Sequence, residues 1–109
     1  MKPVPPLKWN NQLEKAAKAH AEDMKRNNFF DHRGSNGSKF SERIEKTGYN
    51  WSSVGENIYW GDTSARKAFL GWKKSPSHCQ TMMSGSYKEM GAASSGTYWV
   101  QDFGRQRTW

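Results

Sequence analysis

Apolar positions recur along residues 11–27 at the spacing of one helical face. Leu13, Ala17, His20 and Met24 follow one another at intervals of four, three and four, and Lys15, Lys18, Glu22 and Lys25 fill the positions between. The pattern predicts a helix from Asn10 or Asn11, either of which can cap it, to about Asn27. A shorter helix is predicted over 40–46, with Phe40 and Ile44 on one face and Gly48 as its stop. A third follows Gly61, capped by Asp62 or Thr63, with Ala65, Ala68, Phe69 and Trp72 at helical spacing and an end at Pro76. Ser77 can then cap a short turn of helix over 78–83.

Period-two patterning appears elsewhere. Glu56 follows a glycine and leads an apolar, β-prone run to Trp60, so it stands where that strand is expected to begin, after a polar connector over 49–53. Residues 88–94 and 97–103 read as two antiparallel strands joined around Ser95 and Gly96. Alternation in the second puts Trp99, Gln101 and Phe103 on one face and Tyr98, Val100 and Asp102 on the other. Between the first two helices, Phe29-Phe30-Asp31-His32 leads into a glycine-bearing loop. The two Phe are expected to anchor that loop while His32 faces a cleft.

At 109 residues the chain makes one domain, read as residues 7–104 with an extended proline-rich lead over 1–6 and a basic tail over 105–109. Only 34% of residues are apolar and the mean hydropathy is −1.04, which alone suggests disorder. Six Trp, five Phe and four Tyr change that picture by concentrating burial in a few large side chains. Seventeen Lys and Arg against ten Asp and Glu give a formal charge of +7. The cations are scattered over the faces left by the apolar stripes, and no zinc-finger spacing, RNP signature or recognition helix accompanies them, so nucleic acid is not the expected partner. No apolar run reaches the length of a membrane span, and residues 1–6 do not read as a signal peptide, so any export signal is expected to have been removed.

Three side chains stand out as candidate chemistry: His32, Glu56 and His78. Two imidazoles and a carboxylate form a reasonable ligand set for a divalent transition metal, zinc first, with a position left for water. No local motif such as His-Glu-x-x-His forces them together. His20 lies on the buried stripe and reads as a packed, hydrogen-bonded core residue; Glu42 and Arg43 read as a surface or supporting pair. Cys79 is next to His78, but neighbours on a helix point about 100° apart, so the two make no thiol–imidazole dyad. Phe40, Tyr49, Trp51, Tyr59 and Trp60 can line an apolar groove or simply pack over a small core.

Gly55-Glu56-Asn57-Ile58, Trp72, Ser75-Pro76-Ser77-His78-Cys79, Glu89-Met90-Gly91 and Tyr98-Trp99-Val100-Gln101-Asp102-Phe103-Gly104 occur in the order and spacing of a known family. Upstream, Pro6-Leu7-Lys8-Trp9-Asn10, His20-Ala21-Glu22-Asp23-Met24, Asn28-Phe29-Phe30-Asp31-His32 and Gly34-Ser35-Asn36-Gly37-Ser38 fit the same pattern. Over residues 6–104 the chain resembles the bacterial branch of the CAP superfamily (cysteine-rich secretory proteins, antigen 5, pathogenesis-related 1), the SCP domain.

The resemblance implies an α+β fold, a three-layer α-β-α sandwich with a central antiparallel sheet, here beginning after the helix that relatives usually carry at their N-terminus. It implies an exported protein, extracellular or periplasmic and monomeric. It also implies a central cleft where His32, Glu56 and His78 take three of four positions of two histidines and two acids. The fourth position departs: Ser77 stands where relatives with the full set carry glutamate, so metal affinity is expected to be modest. The cysteine that often pairs with the position of Cys79 is replaced by Ala92, Ala93, Ser94 and Ser95, which leaves a free thiol. Three roles remain open for the cluster: a metal-assisted hydrolase of peptides or wall material with Glu56 as base, a structural or sensing metal site, and a polar cluster that holds loops together. The reading adopted is a non-catalytic domain whose cleft takes a divalent metal and a lipid, glycan or wall-derived ligand, with Ser77 and Trp60 as ligand contacts.

Overall fold

The computed structural model describes residues 7–61 and 87–108. In chain order these hold β1 (Lys8–Trp9), α1 (Asn11–Asn27), α2 (Phe40–Lys46), β2 (Trp51–Trp60), β3 (Glu89–Ser95) and β4 (Tyr98–Gln106). The strands form one sheet in the order β1-β3-β4-β2. The β2–β4 and β3–β4 pairs are antiparallel, and the two-residue β1 joins the β3 edge in parallel. The expected third helix after Gly61, Trp72 and the turn bearing Ser77, His78 and Cys79 lie outside the described residues.

Helix α1 forms where its periodicity predicts. Asn10 caps it, its Oδ1 accepting from Gln12 N at 2.9 Å and Leu13 N at 3.0 Å, and its Nδ2 donates to Glu89 Oε2 at 3.1 Å. Asn28 ends the helix in the left-handed conformation, φ 52°. Helix α2 matches the predicted 40–46, and Glu42 turns back to accept from Lys39 N at 3.1 Å, capping its own helix.

Helix α1 lies across β3 and β4 so closely that Gly91 has no room for a side chain. A Cβ there would collide with the α1 backbone at Glu14 N and approach Leu13 C to 2.6 Å. Two apolar clusters form on this face of the sheet. One holds Ala17, Ala21, Met24, Ile58, Tyr98 and Val100; the other holds Leu13, Ala16, Ile44 and Tyr49. Along β2, Val54 packs against the second and Ile58 belongs to the first, so Glu56, on the same face between them, is forced into the seam.

Two strand boundaries differ from expectation. β2 begins at Trp51, so Glu56 sits in mid-strand, and β4 runs on to Gln106, beyond the predicted end at Phe103. Each extension supplies the other's partner, Trp51 facing Gln106 and Ser53 facing Arg105. Ser, Arg and Gln are weak strand formers, and cross-strand pairing overrides that weak local preference. The predicted alternation of β4 holds: Tyr98, Val100 and Asp102 face Trp60, Ile58 and Glu56, the α1 side.

Candidate functional site: a buried carboxylate behind His32

Glu56 enters the fold as a charge with no exposed side-chain surface, and the residues around it explain how it persists there. His32 Nδ1 bonds Glu56 Oε1 at 2.9 Å. Arg43 Nη2 donates to Glu56 Oε2, also at 2.9 Å. Asp102, opposite Glu56 in the β2–β4 register and fully buried, shares a hydrogen bond with the same carboxylate.

Burial tends to raise the Glu56 pKa, but the bonds from His32 and Asp102 and the Arg43 charge outweigh it and hold the carboxyl below its usual range. Asp102 moves the opposite way. Its burial, and then the negative charge of Glu56, push it well above the carboxylate range. The two directions are those of a carboxyl pair in which a proton between the oxygens favours Asp102 as the acid and Glu56 as the ion. Among the described residues no donor bonds either buried Asp102 oxygen, so a proton between the two facing carboxylates is what can satisfy them.

His32 is fixed by its backbone as well as its ring. His20 is fully buried, and its Nε2 bonds the carbonyl of Asp31 at 2.7 Å. Burial holds its pKa down, so the neutral ring donates from Nε2. Arg43 Nη2 donates to the carbonyl of His32 at 2.9 Å, and its Nη1 to Ser38 O at 3.1 Å. Phe40 stands beside the His32 ring, centroids 6.2 Å apart. With Nδ1–H directed at the Glu56 carboxylate, Nε2 is the ring nitrogen left to offer a lone pair when the imidazole is neutral, and the side chain is 47% exposed. This is the arrangement that turns an imidazole into a metal donor.

The structure thus brings His32 and Glu56 together, while His78 and Ser77 lie outside the described residues. Among the described residues no group of three or more His, Cys, Asp or Glu side chains is set to hold an ion. Glu56 does not fit a ligand position beside His32 in an open pocket: both of its oxygens are bonded, and it sits behind the imidazole. A second expectation also changes. Phe29 packs into the core and meets His20 edge-on, but Phe30 is 44% exposed and lies against Trp60 at 6.2 Å. Trp60 itself is 56% exposed.

Sequence reasoning placed His20 in the core, where it is. It passed over Asp102 as one side of a strand and underrated Arg43. A signal for Asp102 was available, since its predicted face is shared with Tyr98 and Val100, and an acid on an apolar face needs a partner.

Comparison with known proteins gives these features a context. Residues 1–103 match the sequence profile of CAP, the cysteine-rich secretory protein family. Two proteins of Bacillus subtilis strain 168 align with the chain. The uncharacterized membrane protein YlbC is 29% identical over 97 residues, 89% of this chain and 28% of that protein. The uncharacterized protein YkwD is 31% identical over 101 residues, 90% of this chain and 39% of that protein. The chain therefore spans well under half the length of these relatives.

Among solved structures, an extracellular protein containing an SCP domain from Bacillus anthracis superposes with a TM-score of 0.91 at 26% identity, over 94% of this chain and 35% of that one. An outer surface protein of Borrelia burgdorferi superposes at 0.86 and 23% identity, over 95% of this chain and 80% of that one, a likeness of fold. With the α+β sheet, the buried acid behind a histidine and a profile match along nearly its whole length, the chain belongs to the cysteine-rich secretory protein (CAP) family.

Proposed function

We propose that this is a binding domain that acts outside the cell, whose cleft takes a divalent metal, zinc first, through His32 and His78 and does not turn over a substrate. The single observation that supports it is the 2.9 Å bond from His32 Nδ1 to a buried, ionised Glu56. It commits Nδ1 to the carboxylate, leaves Nε2 as the nitrogen that can meet an ion and makes the ring a better donor. His32 and His78 would hold the ion, with Glu56 as the residue that orients His32. The metal would supply a Lewis-acidic centre for an anionic or carbonyl group of a ligand. Ser77 brings no charge, so the donor set is two neutral imidazoles and affinity is modest.

A base role for Glu56 finds no support in its surroundings. One oxygen is committed to His32 and the other to Arg43, and the side chain has no exposed surface on which to meet a water molecule. Action outside the cell is supported by the extracellular SCP protein that the chain superposes on. Among the described residues no helix is long and apolar enough to cross a membrane.

Thermal unfolding with and without zinc tests the reading. Zinc at a hundredfold excess over its Kd should stabilise the wild type by about 2.7 kcal/mol, and His32→Ala and His78→Ala should each abolish the shift. A wild type that does not respond to zinc, or a response that survives His32→Ala, contradicts it.

A further inference from the structure

The geometry points to a second contact surface on this binding domain: an aromatic ledge of Phe30, Trp60 and Tyr98 that stacks the rings of an anionic glycan. It deepens the reading above, from which it is experimentally separable.

Trp60 and Tyr98 are cross-strand partners on β2 and β4, and their rings lie parallel, 1° apart in plane with centroids 5.5 Å apart. Tyr98 belongs to the core, so the indole rests on a fixed support while 56% of its surface remains exposed. Phe30 flanks it at a 39° tilt and is itself 44% exposed. The stack on Tyr98 holds the indole in one orientation with more than half of its surface exposed. The C–H groups on one side of a pyranose ring carry partial positive charge and meet an aromatic face in flat contact. The ledge is open, and an acyl chain requires enclosure that an open ledge lacks.

Charge supplies the second half. The methylenes of Lys25 lie beside Gly96 in the β3–β4 turn, 3.3 Å from where a Cβ would stand, and Lys18 Nζ donates to Ser94 O at 2.7 Å. The two lysines are seven positions apart on α1 and so share one of its faces, running along the hairpin. On the other side of the same turn, Gly61 N donates to Thr97 O at 3.1 Å, which brings the end of β2 against it. Asp31, next to Phe30, accepts from Arg33 N at 2.9 Å, and Asp62, two positions beyond Trp60, lies outside the described residues. A ligand stacked on Trp60 would thus meet cations at the hairpin, in a chain of formal charge +7. Trp60 is four residues beyond Glu56 on the same strand face, about 13 Å at the usual rise. That separation suits an extended oligosaccharide better than a single small molecule.

The test is a fluorescence titration in the presence of EDTA, which removes metal binding from the readout. The probes are a galacturonic acid tetrasaccharide, its uncharged methyl ester, a single-stranded DNA oligonucleotide and phosphatidylglycerol vesicles. The acidic tetrasaccharide should bind most tightly. Trp60→Gln should weaken it about tenfold, Trp60→Tyr should restore it, and Lys25→Gln should weaken it and flatten its salt dependence. Phe30→Ala carries the same expectation as Trp60→Gln if circular dichroism shows that variant unfolded. No binding by the wild type, binding indifferent to Trp60→Gln or Phe30→Ala, or tighter binding of DNA or vesicles would each overturn the proposal. None of these failures alters the zinc response on which the cleft reading stands.

Discussion

Glu56 keeps its charge without solvent because His32, Arg43 and Asp102 divide its two oxygens among them. Removing one of these partners leaves a buried charge short of its compensation, which is far costlier than the pair is stabilising. Arg43→Met should therefore lower stability by about 3 kcal/mol in urea unfolding. Adding Glu56→Gln to it should recover part of the loss, because no charge is then stranded. Full additivity of the two would show that Arg43 does not serve Glu56.

Asp102 allows a signed prediction with pH. Its folded pKa is raised above the unfolded value, so between the two the folded state holds the extra proton and stability falls as pH rises. Asp102→Asn mimics the protonated acid with an amide donor and cannot ionise. Its stability relative to wild type should rise as pH climbs above the ordinary carboxylate range, by up to about 1.4 kcal/mol per pH unit. A difference that stays flat or falls over that range would mean Asp102 is already ionised. The sequence names the acid but carries no mark of its protonation, which arises only when β2 and β4 pair it with Glu56.

At the scale of elements, local signals are strongest where one residue type has one physical use. Asn10 before an apolar stripe marks a helix start, and the structure uses both ends of its amide, one for the α1 cap and one for Glu89. Glu89 gathers Asn10, Tyr49 and Gln106, so α1, the α2–β2 connection and the end of β4 are tied at one carboxylate. Its burial tends to raise its pKa, but the bonds from Gln106, Tyr49 and Asn10 prevail and hold it below the usual range.

The ends of β2 and β4 were not legible, since Ser52, Ser53, Arg105 and Gln106 have little strand character alone and acquire it by pairing. The need for glycine at 91 was equally hidden, because it comes from an approach of α1 that no neighbouring residue announces. Gly91→Ala should cost more than the ~1–3 kcal/mol of ordinary overpacking, since its Cβ meets backbone. An alanine variant with an unchanged melting temperature would show that α1 does not lie so close to β3.

For the whole molecule, the central event is that α2, the loop after α1 and two strands converge on one carboxylate between two apolar clusters. The sequence made His32, Glu56 and His78 candidates, and the fold class came from the resemblance to the family, with the periodicities placing individual helices and strands. It did not show that Glu56 would stand behind His32 with both oxygens taken, because that depends on Arg43 turning inward from a helix of seven residues. Orientation of the histidine is thus the quantity on which the cleft's proposed chemistry rests. Long-range nitrogen–proton NMR of His32 in the intact chain reads it directly. The account predicts a neutral ring protonated at Nδ1, with an Nε2 resonance that moves on adding zinc; a ring protonated at Nε2, or an Nε2 resonance indifferent to zinc, would contradict it.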